Sequence, residues 1–369
     1  MFHGPGKMKV LYDHQIFTQQ EYGGVSRYFY ELMENYSSGS TVEPKLPLMF
    51  SNNHYLSAFT FRTHKHFLKG FDFRGKMRIL MLLNKRASVK ALRRKDFDVF
   101  HPTYYDPYFL KYCSSPFVLT VYDMIHERFP EYFPARDNTS VRKRLLCSKA
   151  DRIIAISQNT KKDLMEFFSI PESKISVVYL GNSLMPDAAA HINLPDKYIL
   201  FVGDRRGYKS FLFFIESIRE ILAKNKELHV VCAGGGGWKR EESVRFAQWG
   251  IEKQLIHISI KDSTLAYAYK NALFFVYPSL YEGFGIPVLE AFSCRCPVLL
   301  SNASSFPEVA GGAALYFEPG DSEDLRKSAS RLLGDSELRN CLADRGENRL
   351  KFFSWDKCAS QTAQVYMRL

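Results

Sequence analysis

The sequence predicts a two-domain α/β protein with parallel sheets. Three observations carry that expectation. The chain has 369 residues, more than a single core usually holds. Short apolar runs alternate with amphipathic stretches, and the alternation occurs twice. Residues 184–196, LMPDAAAHINLPD, separate the two series with two prolines and little periodicity. The hydrophobic share of 46% and charged share of 24% are ordinary for a chain that buries a core in each half.

In the first series, MKVLYD (8–13) reads as a strand and GGVSRYFYELMENY (23–36) as a helix entered through a Gly-Gly turn. DVFHPTY (98–104), PFVLTVYD (116–123) and RIIAIS (152–157) read as strands that end in polar residues. Ligands of parallel sheets bind at that carboxyl edge. SQNTKKDLMEFF (157–168) is a helix with Ser157 as its cap, and ISVVYLGNS (175–183) is a last strand. The second series runs YILFVG (198–203), a helix SFLFFIESIREILAKN (210–225), LHVVCAGGGG (228–237) with a glycine loop, then the strands LIHISI (255–260) and ALFFVYPS (272–279). SWDKCASQTAQVYMRL closes the chain as an amphipathic helix. The expected domains are 1–185, with 354–369 packing back onto it, and 186–353.

No apolar run reaches the roughly 18–20 residues that span a bilayer, and MFHGPGKMKVLYDHQ carries no apolar signal segment. Met8 reads as the native start, with residues 1–7 an addition. The seven cysteines are odd in number and scattered, which argues against a disulfide framework and for a reduced, cytoplasmic protein. Charge is uneven: through residue 185 there are 27 Lys and Arg against 17 Asp and Glu, and thereafter 23 against 22. Between Arg62 and Lys95 twelve basic residues meet one acidic residue, Asp72. Within that block RGKMRILMLLNKRASVKALRRK (74–95) mixes Lys and Arg with Met77, Ile79, Leu80, Leu83 and Leu92, the composition of a helix lying on anionic lipid or of a solvated helix packed by its apolar face. Nucleic acid is the competing partner for such a block, but no nucleic-acid motif accompanies it.

The strongest constellation is PSLYEGFGIPVLEAF (278–292), with Glu282 and Glu290 eight residues apart. Gly283 and Gly285 permit a sharp turn and a close ligand. Pro287 suits the first turn of a helix, so the N–H groups around Phe284–Val288 would form an anion-binding helix end. Asp96-Phe97-Asp98 spells a DxD, but it runs directly into an apolar strand, so a structural role is expected there and no metal site.

With these residues the sequence resembles glycosyltransferase family 4 (group 1), the retaining enzymes of GT-B fold. SLYEGFGIPVLEAF matches that family's Glu-x7-Glu motif. SNASSFPEVAGGAALYFEPGD (301–321), KDSTLAYAYKNALFFVYPS, VGDRRGYKS, GGVSRY and FSWDK extend the resemblance over most of the chain in order. It implies two Rossmann-like domains facing across a cleft, with the C-terminal helix returning to the first. It implies a nucleotide-diphosphate sugar as donor substrate, such as GDP-mannose or a UDP-sugar, a glycan or lipid-linked acceptor, and no cofactor. Glu282 would hold donor-sugar hydroxyls with help from the amides of Gly283, Phe284 and Gly285. Glu290 would hold the ribose, and Lys209, after Gly203, would neutralise the diphosphate. Tyr208 stands where the family usually has Arg, which makes Arg205 the candidate second cation, with Arg206 beside it. Gly23 and Gly24 match the family's glycine loop near donor phosphate and acceptor. Tyr122 precedes Asp123 where relatives carry His, which leaves His126 as the candidate catalytic histidine and His101 as another strand-end histidine. Other GT-B chemistries, an epimerase or a phosphorylase, and an inactive scaffold are the alternatives within this fold.

Overall fold

The structure is a computed structural model that describes residues 7–37, 41–58, 64–68, 70–71, 73–186, 190–205, 207–259 and 261–369. It divides into two compact units, 1–180 with 355–369, and 181–354.

The first unit contains β1 (Met8–Tyr12), α1 (Gln15–Gln19), α2 (Gly24–Ser37), β2 (Val42–Lys45), α3 (Lys76–Arg94), β3 (Val99–His101), β4 (Val118–Val121), α4 (Ile125–Arg128), α5 (Thr139–Lys149), β5 (Arg152–Ala155), α6 (Gln158–Phe168) and β6 (Ile175–Val177). Its strands run parallel in the orders β2-β1-β3 and β4-β5-β6, joined by a parallel bridge between Phe100 and Phe117. The two carboxylates of the DxD, just before β3, tie it to the start of β1 and the end of β2. Asp98 Oδ2 accepts the Lys9 backbone N–H at 2.7 Å, and Asp96 pairs with Lys9 at 2.8 Å and Lys45 at 2.7 Å. These partners hold the Asp96 carboxyl at about 2, below the usual carboxylate range.

The second unit contains β7 (Tyr198–Val202), α7 (Phe211–Lys224), β8 (His229–Ala233), α8 (Arg240–Gln248), β9 (Leu255–Ile258), α9 (Asp262–Asn271), β10 (Phe274–Tyr277), α10 (Ile286–Ser293), β11 (Val298–Ser301), α11 (Phe306–Ala310), β12 (Leu315–Phe317), α12 (Ser322–Gly334) and α13 (Ser336–Leu350). Its sheet is fully parallel in the order β12-β11-β10-β7-β8-β9. Strands of such a sheet are covered on both faces and read as continuous apolar runs. Alternate residues, Ile199 and Phe201, Val230 and Cys232, Phe274 and Val276, meet Phe214, Ile218 and Leu222 of α7 and Leu325 and Leu332 of α12 in one core. Each such side chain contributes about 1.5–3 kcal/mol by leaving water. The order reverses between β7 and β10, whose carboxyl ends therefore flank the crevice where an open α/β sheet takes its ligand.

The last helix, α14 (Trp355–Tyr366), belongs to the first unit and packs on α2. A buried polar chain fixes it: Tyr366 Oη lies 3.0 Å from Tyr12 Oη and 2.7 Å from His101 Nδ1, while His101 Nε2 lies 2.9 Å from Thr120 Oγ1. Burial pushes the His101 imidazole down to about 3, so it is neutral near pH 7. His101 is a core histidine satisfied at both nitrogens. The seven cysteines are free, and no helix among the described residues is long and apolar enough to cross a membrane.

Candidate active site

The candidate site lies at the carboxyl edge of the second unit's sheet. β7 ends in Gly203, whose φ of +125° is natural only for glycine, and the chain turns into a short 3-10 helix at Gly207–Lys209. β10 leads into the loop that carries Glu282. The Lys209 ammonium meets the Glu282 carboxylate, Nζ to Oε1, at 2.5 Å and donates to Tyr277 Oη at 3.2 Å. Both charged side chains are mostly covered, at 13% and 14% exposure. The rings of Tyr208 and Tyr277 each lie 5.3 Å from the same ammonium. Burial, with Glu282 beside it, raises the Tyr277 hydroxyl well above its ordinary value, so it stays protonated as a donor.

Two neighbouring elements hold Glu282 in place. Leu280 N–H donates to the Tyr208 carbonyl at 2.8 Å, joining the loop after β10 to the turn after β7. From the loop after β11, Ser304 Oγ accepts the Glu282 N–H at 3.1 Å and donates to its carbonyl at 2.5 Å, and Ser305 Oγ reaches the carbonyls of Glu282 and Phe284 at 2.9 Å each. Ser304 adopts φ +55°, a left-handed conformation that serine rarely takes.

The loop then enters α10 through Gly285, at φ +104°, and Pro287 in the first turn. A Cβ on Gly285 would also sit 3.2 Å from the Phe306 ring. The positive end of the α10 dipole thus follows directly from Glu282, Gly283 and Phe284. The Phe284 ring itself is buried against Phe353, so only its backbone is offered at this edge. Glu290 is one turn inside the helix, 6% exposed, with its Oε2 accepting from Tyr269 Oη at 3.3 Å.

Arg205 is engaged within the second unit. Its guanidinium grips Glu242 through Nε at 2.8 Å and through an Nη at 3.1 Å, and donates to the carbonyls of Gly234, Gly236 and Gly237 at 3.2, 3.1 and 2.8 Å. All five donors are used and the side chain is 2% exposed. Arg205 clamps the glycine loop after β8, and Glu242 neutralises its charge. Gly235 must be glycine there, since a Cβ would lie 2.9 Å from Arg205 at a φ of +74°. Arg206 falls outside the described residues.

The remaining predicted residues belong to the first unit. His126, on α4, stacks on Phe133 with centroids 3.8 Å apart and places Nε2 3.6 Å from Asp137. Its Nδ1 is buried without a hydrogen-bond partner among the described residues. Burial, and next the Lys143 charge, lower its pKa below the ordinary value. Lys143 is buried and bonds the Asp123 carbonyl at 2.9 Å and Glu127 at 2.8 Å, which fixes the segment carrying Asp123 and His126. Gly23 and Gly24 open α2. A Cβ on Gly23 would collide with the Gln20 amide at 2.2 Å, and that amide oxygen accepts the Ser26 N–H at 3.3 Å, capping the helix. Tyr122 fills its place as a core residue, 8% exposed, leaving no imidazole beside Asp123 at that point.

Residues 187–349 match the family model described as "Glycosyl transferases group 1", and residues 22–184 match "Glycosyltransferase Family 4". The chain is 29% identical over 306 residues to O-antigen chain mannosyltransferase B of Escherichia coli, covering 78% of this chain and 79% of that one. It is 27% identical over 317 residues to the MMP alpha-(1->4)-mannosyltransferase of Mycolicibacterium hassiacum, covering 76% and 73%. Among solved structures, Anabaena HepE in complex with UDP and glucose superposes with a TM-score of 0.75 at 15% identity over 98% of this chain and all of that one. Sucrose-phosphate synthase from Thermosynechococcus elongatus gives 0.73 at 19% identity, covering 98% of each. These two likenesses show the GT-B fold.

The Arg205–Glu242 clamp makes a stability prediction. Arg205→Met leaves a carboxylate buried and unpaired, and should cost about 3–5 kcal/mol. The double variant Arg205→Met/Glu242→Leu should recover much of that loss. Thermal melts of the three proteins check it; equal melting temperatures for wild type and Arg205→Met would contradict the clamp.

Proposed function

We propose that this chain, which belongs to the group 1 glycosyltransferases of family 4, transfers a hexose from a nucleoside-diphosphate sugar to a glycan or lipid-linked acceptor in cell-surface polysaccharide synthesis, with retention at the anomeric carbon. Mannose is the favoured sugar and GDP-mannose the favoured donor, because the similar proteins are named mannosyltransferases; a UDP-sugar is the second candidate, as HepE is described with UDP.

The observation that carries the reading is the Lys209–Glu282 pair, 2.5 Å apart, at the reversal point of the parallel sheet. As the sugar leaves, negative charge builds on the diphosphate. Lys209 supplies positive charge there once it exchanges Glu282 for the diphosphate, and the N-terminal turn of α10 supplies a fixed dipole. Gly203 and Gly283 let phosphate or sugar approach the backbone closely. Glu282, released from Lys209 as the diphosphate takes the ammonium, accepts hydroxyls of the donor sugar, and Glu290 accepts those of the ribose. Retention follows from attack on the face the diphosphate leaves. A short-lived oxocarbenium-like state forms, and a leaving phosphate oxygen takes the acceptor's proton. In the first unit, which serves the acceptor, His126 is neutral near pH 7 and orients hydroxyls, with Gly23 and Gly24 at the phosphate and acceptor end. The charge on the diphosphate is met by protein groups, so no divalent metal is required.

The same reading places the first unit on the cytoplasmic face of an anionic membrane through α3. Leu80, Asn84, Ser88 and Leu92 form its buried stripe. Leu80 and Leu92, counted toward a lipid face from sequence, are therefore packed inward. Met77, Ile79 and Leu82 are exposed at 48%, 45% and 51%, among the exposed Arg78, Arg86, Lys90 and Arg93. Sedimentation with phosphatidylglycerol vesicles should show binding at low salt that weakens at high salt and in Ile79→Ser/Leu82→Ser. Absence of binding at low salt would contradict the membrane face.

Incubation with GDP-mannose or a UDP-sugar and an acceptor extract should yield an α-linked product and nucleoside diphosphate, in excess EDTA as well as without it. Lys209→Ala should lower kcat by about 10²-fold or more, as for loss of an oxyanion-stabilising donor. Conversion of the nucleotide sugar with no acceptor would point to an epimerase, and near-normal turnover by folded Lys209→Ala would remove its proposed role.

A further inference from the structure

The glycine loop after β8 sits directly on the turn that leads to Lys209. The Gly203 N–H donates to the Ala233 carbonyl at 2.9 Å, and a Cβ on Gly235 would lie 3.1 Å from both the Gly203 carbonyl oxygen and Asp204 Cα. Gly234, Gly235 and Gly236 stand in succession at φ +94°, +74° and +72°, values that only glycine takes readily. Gly235, Gly236 and Gly237 are exposed.

Arg205 decides which way the peptide groups of this loop face. Its guanidinium takes the carbonyls of Gly234, Gly236 and Gly237. In a trans peptide the C=O and N–H point in opposite directions. The N–H groups of the same three peptides, those of Gly235, Gly237 and Trp238, therefore face away from the guanidinium. None of the three has a hydrogen-bond partner among the described residues. The Arg205 side chain is covered, with the Trp238 ring 4.7 Å from its guanidinium carbon, so N–H groups turned away from it face outward at the carboxyl edge of β8.

The charges along this edge leave a role for those donors. Lys209 brings one ammonium, and the tyrosines around it, Tyr208 and Tyr277, are neutral. The charge of Arg205 is met by Glu242. A diphosphate carries more negative charge than one ammonium neutralises. Successive backbone N–H groups in a glycine-rich turn bind such oxygens without a further cation. A neutral sugar would need acceptors as well as donors, and three carbonyls of this loop are already taken by Arg205.

We infer that Arg205 is a positioning residue of the donor site: by holding the loop carbonyls it turns the N–H groups of Gly235, Gly237 and Trp238 outward, where they act with Lys209 on the diphosphate. The inference rests on the glycosyltransferase reading. It gives Arg205 an effect on phosphate binding that runs through the backbone of another loop.

Calorimetric titration of GDP and UDP into the full chain tests it, with the melting temperature of each variant measured alongside. In Arg205→Met/Glu242→Leu the two buried charges leave together, so stability is largely kept while the loop carbonyls lose their donor. The preferred nucleoside diphosphate should bind this variant about tenfold more weakly than wild type, the scale of one hydrogen bond to a charged oxygen. Gly235→Ala keeps Arg205 but puts a Cβ 2.9 Å from its guanidinium, and should show a similar loss. A residue that only stabilised the fold would leave affinity unchanged in a double variant that melts like wild type. A cation that met the phosphate directly would leave it unchanged in Gly235→Ala. Wild-type affinity in either folded variant overturns the inference; were the double variant unfolded, Gly235→Ala decides. Nucleotide binding by the wild-type protein, with both variants unchanged, would leave the transferase reading standing and this inference wrong. Failure of the wild type to bind either nucleotide would overturn both.

Discussion

Lys209 and Glu282 are opposite charges brought within 2.5 Å where neither is well exposed. Removing either ion from water is unfavourable, and mutual attraction offsets that cost only when geometry is fixed. Much of the second unit supplies that geometry. The pairing of β7 with β10, registered Ile199 to Phe274, sets the two chain ends side by side. The Tyr208–Leu280 backbone bond joins their loops, and Ser304 and Ser305 pin Glu282 from the loop after β11. In the proposed function this pair is a stand-by arrangement, in which a diphosphate takes the cation and frees the carboxylate for sugar hydroxyls.

What was legible in the sequence is what depends on local spacing. The glycines and Pro287 announced a turn into a helix, and α10 begins after Gly285 as that pattern requires. Lys209 and Glu282 stand out only by family resemblance, and the fold brings them together. The contacts of Arg205 are decided at a distance, by Glu242 on α8 and by three loop carbonyls, none of which a local pattern reveals. Ser304 and Ser305 lay inside the quoted SNASSFPEVAGG stretch without a role, since their partners are over twenty residues away. The strands β2, β11 and β12 were not read. On α3 the buried stripe joins Leu80 and Leu92 to Asn84 and Ser88, which bond Thr18 and His14, so an apolar count alone does not show which face packs inward.

The first unit uses its buried polar groups differently. Tyr12, Tyr366, His101 and Thr120 form a linked chain in its core, and that chain locks the last helix of the sequence against the first strand. Hydrogen bonds at both imidazole nitrogens make His101 a structural group. His126 has one nitrogen unpaired among the described residues and an aspartate near the other.

In the proposed function Glu282 restrains the cation that meets the diphosphate. Calorimetric titration of GDP and UDP into Glu282→Gln tests this most directly. The variant keeps the side chain's size and removes its charge. If the claim holds, the preferred nucleoside diphosphate binds several-fold more tightly to Glu282→Gln than to wild type, because Lys209 no longer has to leave a carboxylate. Weaker or equal binding would contradict it.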